Sequence, residues 1–364
     1  MNDVHFMRRA MQLALRAKGR TTPNPMVGAV IVKGKKIIAE GWHKYCGADH
    51  AEVMALKKAG TQAQRAKLYV TLEPCSHFGR TPPCLDKIIM SGIREVIIGM
   101  KDPNPVNDGK SIAVLNKNRI KTKVGLLKNE LRKMNEVFVK YIQERTPFVV
   151  AKCAQTLDGK SATSSGQSRW ITSPSSRDFS HRLRNQFDAI LVGVNTVIQD
   201  NPYLNAPKSS KRLKKIIVDS TLRMPLDARI FERTKPEDIY VATTSQARKR
   251  RLNQLKKKGV NVLVCPHDRG GVELKWLFKE LAKKEIASIL IEGGARVIGS
   301  ALRKKLVDKF VIFIAPKIMG DKEALGSIEG LSTAHVDRSI QLKDLEIRRI
   351  KGDIFIEAYP RYGG

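Results

Sequence analysis

The sequence predicts an α/β protein built from two successive domains, and three observations lead there. Short apolar runs rich in Val and Ile alternate with helical segments along the whole chain. The 364 residues exceed what one hydrophobic core usually serves. Both halves are α/β, yet they share no spacing of motifs, so the chain is not an internal repeat.

Phe6, Ala10, Leu13 and Ala17 recur at helical spacing and predict a first structural helix. "VGAVIVK" (27–33) and "KIIAEGW" (36–42) read as a hairpin around Gly34, and "AEVMALKKAG" (51–60) as a short helix closed by Gly60. A strand at 67–73, a helix at 84–92, a strand at 94–100 and a single polar helix at 128–144 follow. Thr146-Pro147 marks the boundary between domains 1–145 and 146–364. The second domain opens with a strand at 147–156 and a turn on Asp158-Gly159. A helix at 173–186 has Ser173 as N-cap and Pro174 at its first position. Strands at 188–194, 214–220, 238–244, 260–265 and 286–294 alternate with helical segments. The strands at 309–316 and 353–359 end the domain and are expected to be antiparallel.

Composition narrows the function classes. No apolar run reaches the ~18 residues of a membrane span, so no membrane partner is expected. The N-terminus lacks the continuous apolar stretch of a signal peptide. Five cysteines, an odd and low number, argue for a reducing compartment and against a disulfide framework, and the expected location is the cytoplasm. The net charge of +32 invites a nucleic-acid hypothesis. However, the basic residues are spread along the chain, and the clusters at 208–215 and 248–258 have no interleaved aromatics for base stacking. Lysines scattered over solvated faces are the favoured explanation, with no nucleic-acid partner.

"GADHAEVMAL" and "TLEPCSHFGRTPPC" carry the first constellation. Imidazole nitrogen and thiolate sulfur suit Zn²⁺, and three protein ligands leave a fourth position for water. His50, Cys75 and Cys84 supply three for one Zn²⁺ per chain. Glu52, two residues past His50, falls beside the metal as a catalytic proton carrier. This H-x-E with P-C…C arrangement is the signature of zinc deaminases that attack an amino-bearing ring carbon. Cys46 is the alternative fourth ligand of a purely structural site. The eight residues between the cysteines add His77 and Arg80, two possible phosphate donors. "ILIEGGARVIGSAL" (289–302) carries the second: a strand ends in Glu292-Gly293-Gly294 and a helix begins, a turn suited to phosphate. There is no G-x-G-x-x-G after the first strand of this domain, which argues against a Rossmann fold.

"HAE…TLEPCSHFGRTPPC", "TTPNPMVGAVIV" and "KDPNP" resemble the bifunctional riboflavin biosynthesis deaminase/reductases, and the resemblance runs essentially the whole chain. "KCAQTLDGKSA", "SRWITS", "VGVNTVIQDNPYLN", "IVDSTLRMP" and "IEGG" follow in the order of that family's reductase domain. The resemblance implies a cytidine-deaminase-like three-layer α/β/α domain followed by a dihydrofolate-reductase-like α/β domain, with Zn²⁺ and NADPH as cofactors. It implies deamination of 2,5-diamino-6-ribosylamino-4(3H)-pyrimidinone 5′-phosphate, then reduction of the ribosyl chain to ribityl, giving 5-amino-6-ribitylamino-uracil 5′-phosphate. Asn24, His77, Arg80, Asp102 and Asn104 would face this small phosphorylated pyrimidine in the first domain, and Lys152, Ser168, Arg184, Leu204 and Glu292 in the second. Ala154, Trp170, Thr196, Asp200, Ser220, Gly294, Ala295, Arg296, Val297, Ile298, Gly299 and Ser300 would meet NADPH. A homo-oligomer is expected from the family alone.

For Asp102 and Asn104 an Asx-Pro turn is the competing explanation, and for Trp170 a core aromatic. Two departures from the family stand out. Asn195 replaces a glycine in "GVNT", where Asn would tolerate a left-handed turn. Pro207 replaces an arginine after "NPYLN", so Lys208, Lys211 or Arg212 would supply that charge. The rival functions are an RNA or nucleobase deaminase with a basic nucleic-acid-binding second domain, and a zinc-stabilised binding protein without catalysis.

Overall fold

A computed structural model describes residues 2–76, 78, 82–207, 212–269 and 271–363. His77, Arg80, Lys208 and Lys211 lie outside the described residues. The chain divides into two compact units, Met1–Arg145 and Thr146–Gly364.

The first unit runs α1 (Asp3–Leu15), β1 (Gly28–Lys33), β2 (Lys36–Trp42), α2 (Ala51–Ala59), β3 (Lys67–Leu72), α3 (Cys84–Met90), β4 (Glu95–Met100), α4 (Lys110–Lys117), β5 (Lys121–Val124), α5 (Lys128–Met134) and α6 (Glu136–Glu144). Its sheet has the order β2-β1-β3-β4-β5. β1 is antiparallel to β2 and β3, while β3, β4 and β5 run parallel. Consecutive residues of β1, β3 and β4 are buried, as strands covered on both faces must be. Met7, Leu13, Ile31, Leu68, Ile88 and Ile98 form the core between sheet and helices.

The single helix expected over 128–144 is two helices. Asn135 breaks it with φ −104° and ψ 24°. Its buried amide accepts from the Met26 N–H at 2.8 Å and donates to the Met26 carbonyl at 3.0 Å. That tertiary pairing competes with helix continuation, and no local pattern announces it. α4 and β5 were not anticipated: β5, "KTKV", is a four-residue edge strand with no buried position and so no periodicity to read.

The second unit contains β6 (Phe148–Thr156), β7 (Lys160–Ala162), α7 (Pro174–Leu183), β8 (Ala189–Gly193), α8 (Val194–Asp200), β9 (Lys214–Val218), β10 (Ile239–Thr243), α9 (Lys249–Lys257) and β11 (Asn261–Val264). It continues through β12 (His267–Asp268), β13 (Gly271–Val272), α10 (Leu274–Lys283), β14 (Ser288–Ile291), α11 (Ala295–Arg303), β15 (Lys309–Ala315), β16 (Leu325–Gly326), β17 (Gln341–Ile350) and β18 (Asp353–Arg361). Nine strands make one sheet in the order β11-β10-β9-β8-β14-β6-β15-β18-β17. The seven from β11 to β15 are parallel. β15 is antiparallel to β18 but parallel to β6, so the expected antiparallel pairing applies to one of its two edges.

β17 was not anticipated. None of its ten residues is buried, so it carries no apolar alternation. In β8, Ala189 and Leu191 join one core, with Leu277, Phe278 and Ile298, whereas Ile190 and Val192 join another, with Ile217, Val241 and Leu255. The strand alternates faces, and both faces are covered. Ser173 caps α7 by accepting from Ser176 N–H at 3.3 Å, with Pro174 first in the helix. No helix among the described residues is long and apolar enough to cross a membrane.

Gly41 sets how closely α2 approaches the sheet. A Cβ there would stand 2.2 Å from the Ala51 carbonyl oxygen and 2.7 Å from the Ala55 nitrogen. Gly41→Ala must therefore push away the helix that begins beside His50 and Glu52. The expected cost to the first unit is about 1–3 kcal/mol, with reduced zinc uptake. Calorimetry and metal analysis of the full chain check this, and wild-type values in both would contradict the packing argument.

Candidate active sites of the two units

In the first unit, three segments deliver side chains to one point. His50 is the N-cap of α2, Cys75 lies in the loop after β3, and Cys84 is the first residue of α3 behind Pro83. His50 Nδ1 stands 3.0 Å from Cys84 Sγ and 3.5 Å from Cys75 Sγ, and the Cys84 N–H donates to Cys75 Sγ at 3.3 Å. The three ligand atoms all lie within 4.8 Å of one another. Ligand atoms ~2.0–2.3 Å from a tetrahedral Zn²⁺ are spaced about 3.3–3.8 Å; the donor set fits the ion in type, the 3.5 Å separation lies within that range, and the 3.0 Å separation is slightly shorter. Cys46 is not a member of this group.

The electrostatics of this group agree with its chemistry. A hydrogen bond from the Cys84 thiol, aided by His50 and opposed by burial, pulls Cys75 down to about 4. The same thiolate and burial push Cys84 upward, and the hydrogen bond to Cys75 raises His50. A dication would stabilise both thiolates. Glu52 is 3% exposed, and burial pushes its carboxyl up to about 7, with His50 opposing the rise and Cys75 adding to it.

His43 is a residue that sequence reasoning missed. It is buried, its ring meets His50 edge-on at 5.2 Å, and burial lowers its pKa. A neutral ring protonated on Nδ1 satisfies both of its contacts. It donates to the Asp49 carbonyl at 3.2 Å and accepts from the Asn24 amide at 3.2 Å. His43 therefore orients Asn24. The available signal was a histidine directly after a strand and seven residues before His50. Asp102 and Asn104 do form Asx turns. Asp102 Oδ1 accepts from Asn104 N–H at 2.9 Å, and Asn104 Oδ1 accepts from Val106 N–H at 3.2 Å.

In the second unit, adjacent parallel strands β9, β8, β14 and β6 bring Ser220, Thr196, Glu292 and Lys152 toward the carboxyl ends of the sheet, where open α/β sheets bind ligands. Arg184 grips Glu292 with two bonds, Nε to Oε2 at 2.8 Å and Nη2 to Oε1 at 2.9 Å. Lys152 Nζ lies 3.7 Å from the same carboxylate. Burial alone would raise Glu292, but Arg184 and Lys152 outweigh it and hold the carboxyl down to about 2. Arg184 also donates to the Asn205 carbonyl at 2.8 Å, next to Leu204, which has φ +53°.

Gly293 and Gly294 have φ +116° and +86°, and a Cβ on Gly293 would meet Thr196 Oγ1 at 3.0 Å. Gly294 is the N-cap of α11. In the first turns of α11 the Ala295 carbonyl accepts from the Glu329 N–H at 3.2 Å, Arg296 is exposed, Val297 packs on Gly193, and Ile298, Gly299 and Ser300 are buried. Ser168 Oγ donates to Asp200 at 3.2 Å, and Ala154 is a half-buried residue of β6.

One expectation needs correction, and two alternatives narrow. Trp170 is 60% exposed, with Arg177 4.2 Å over its ring, so it is not a core aromatic. Asn195 stands in the first turn of α8 and not in a left-handed turn, with its amide accepting from Arg223 at 2.7 Å. Arg212 is paired with Asp238 at 2.7 Å and Glu237 at 2.8 Å, and Lys208 and Lys211, the other candidates for the charge expected after Asn205, lie outside the described residues. Sequence reasoning also passed over Lys215. It is buried and donates to the Tyr203 carbonyl and Asn205 Oδ1 at 2.6 Å each, supporting the segment around Leu204 from beneath.

Comparison with known proteins agrees with this division. Residues 1–100 match the family of the cytidine and deoxycytidylate deaminase zinc-binding region, and residues 147–356 match the RibD C-terminal domain. The chain is 43% identical over 362 residues to the riboflavin biosynthesis protein RibD of Aquifex aeolicus, covering 99% of each. It is 37% identical to the Escherichia coli protein of that name, covering 97% of this chain and 98% of the relative. Acinetobacter baumannii RibD superposes with a TM-score of 0.89 at 33% identity, covering 99% of each chain. A Thermotoga maritima diaminohydroxyphosphoribosylaminopyrimidine deaminase/5-amino-6-(5-phosphoribosylamino)uracil reductase superposes with a TM-score of 0.83 at 35% identity, covering 98% of each.

The Glu292 carboxyl makes stability depend on acid. Its folded value of about 2 lies below the ordinary 4.5, so its contribution is present above pH ~4.5 and is lost as pH falls toward ~2. Glu292→Gln should be less stable than the parent at neutral pH, by on the order of 3 kcal/mol, and the two curves should converge near pH 2. Denaturant titrations across that range check it, and parallel curves would rule out the paired, ionised Glu292.

Proposed function

The chain belongs to the RibD family of riboflavin biosynthesis proteins, and from that membership we propose how its residues divide the chemistry. The protein is a bifunctional riboflavin biosynthesis enzyme, a deaminase and a reductase, with Zn²⁺ and NADPH as cofactors. The proposed first substrate is 2,5-diamino-6-ribosylamino-4(3H)-pyrimidinone 5′-phosphate, the chemistry that the Thermotoga maritima protein is named for. The convergence of His50, Cys75 and Cys84 with Glu52 buried beside them supports this reading most.

Held by those three ligands, zinc supplies Lewis acidity and brings the pKa of a water molecule toward ~7. Glu52 takes a proton from the attacking water and delivers it to the departing 2-amino group. The C2–O bond forms, the C2–N bond breaks, and ammonia leaves. Asn24, oriented by His43, holds the ring edge, with Asp102 and Asn104 on its closing loop. His77 and Arg80, which lie outside the described residues, are the further proposed substrate contacts, Arg80 at the phosphate.

In the second step C1′ of the imine form of the ribosyl group would accept a hydride that bound NADPH supplies, and the imine nitrogen would take a proton from water, which leaves a ribityl chain and NADP⁺. The N–H groups at the start of α11 and the Gly294–Ser300 turn, with Thr196, Asp200, Ala154, Trp170 and Ser220, hold the cofactor. Lys152, Arg184 and Glu292 meet phosphate and ribose hydroxyls, and Ser168 and Leu204 complete that side. Arg184 is oriented beforehand by its bidentate pairing with Glu292. The proposed partners are small phosphorylated pyrimidines and a second copy of the chain, without nucleic acid, in the cytoplasm.

The full chain should release ammonia from the diaminopyrimidine phosphate without nicotinamide, and should oxidise NADPH once deaminated product is present. A tRNA substrate should remain unchanged, and tRNA deamination would favour the nucleic-acid reading. Glu52→Gln should keep one zinc while losing about 10²–10⁴-fold in deamination, with the reductase step intact. Cys84→Ser should instead lower zinc content itself. Near-normal deamination by zinc-replete Glu52→Gln would remove Glu52 from its role.

A further inference from the structure

Asn107 has no part in the chemistry described so far, yet it is 0% exposed and uses both ends of its amide. The Ser76 backbone N–H can only donate, so the atom it meets at 3.0 Å is the Asn107 oxygen, which also accepts from Ser76 Oγ at 2.7 Å. The Asn107 nitrogen accordingly donates to the Pro74 carbonyl at 3.0 Å and to Asp102 Oδ2 at 3.2 Å. Pro74 and Ser76 flank Cys75. One side chain thus fixes the peptide groups on both sides of a metal ligand and, with its remaining donor, a carboxylate on the loop beyond β4.

Glu73 reinforces the same junction. Its buried carboxylate accepts from the Asp102 and Gly109 N–H groups at 3.1 and 3.0 Å and from Ser111 Oγ at 2.8 Å. A hydrogen bond between buried polar groups is costly to leave unmade, so these segments shift together or not at all. We propose that Asn107 is a positioning residue of the deaminase, which holds Cys75 and Asp102 in a single frame so that the metal ligand and the substrate-side carboxylate keep a fixed relation. This rests on the zinc deaminase reading above.

The test uses the full chain with Asn107→Ala and Asn107→Asp. The second variant is the same size, keeps an acceptor for Ser76, and loses the donors to Pro74 and Asp102. Co²⁺ replaces zinc so that the thiolate-to-metal absorption reports the direction of Cys75 Sγ. Both variants should shift that band and lose metal to a chelator at least ~10-fold faster than the parent. Deaminase kcat/KM should fall ~10–100-fold with KM rising, because Asp102 is released, while NADPH-dependent reduction by the same molecules stays at the parent level. A parent chain that binds no metal or does not deaminate would sink the deaminase reading and this inference with it. With an active parent, an unshifted Co²⁺ band and kcat/KM within about twofold in Asn107→Asp would overturn the inference alone. So would a lowered melting temperature with no other change.

Discussion

In the first unit three segments bring the donor atoms of His50, Cys75 and Cys84 to one point, and much of the unit's packing bears on that meeting. The His50 imidazole stands 3.0 and 3.5 Å from the two sulfurs, and neither cysteine is in a disulfide. The donors come from the start of α2, the loop after β3 and the start of α3, so the site depends on how those helices seat on the sheet. Gly41 permits the close approach of α2, and the Cys84 N–H supports the Cys75 sulfur. Glu52 is carried to the same place by the helix that presents His50. Its burial raises the carboxyl to about 7.

The second unit solves an opposite electrostatic problem. Glu292 is largely withdrawn from water yet stays ionised, because Arg184 and Lys152 surround it. The parallel strands dictate this meeting: Ile291 of β14 pairs with Ala151 of β6, so the next residue of each strand, Glu292 and Lys152, sits side by side. Arg184 then connects the carboxylate to the Leu204 segment through the Asn205 carbonyl, and Lys215 supports that segment from below. The cations Arg184 and Lys152 are thereby oriented, with little side-chain entropy left to lose.

Much of this was legible in one dimension. Long buried strands such as β3, β4 and β6 carry continuous apolar runs, and the α7 start carries Ser173-Pro174, so these elements could be read locally. β5 and β17 could not, because edge strands without buried residues have no hydrophobic period. The break at Asn135 escaped for a different reason: its cause is a pairing with Met26, more than a hundred residues away in sequence. His43, Lys215 and Asn107 share that character. Each is an ordinary polar residue whose importance lies in partners that the fold supplies.

The sequence by itself determined the α/β class and the kinds of chemistry. Residue types with metal-ligand character at readable spacing, and glycines at a strand-to-helix turn, are local facts. The tertiary structure alone decided which groups share a charge environment. That includes the raised Glu52, the depressed Glu292, the neutral His43 that turns Asn24, and the clamp of Asn107 on either side of Cys75. Desolvation and hydrogen-bond geometry arise only when distant segments pack, because each depends on what excludes water from a side chain and what stands within about 3 Å of it.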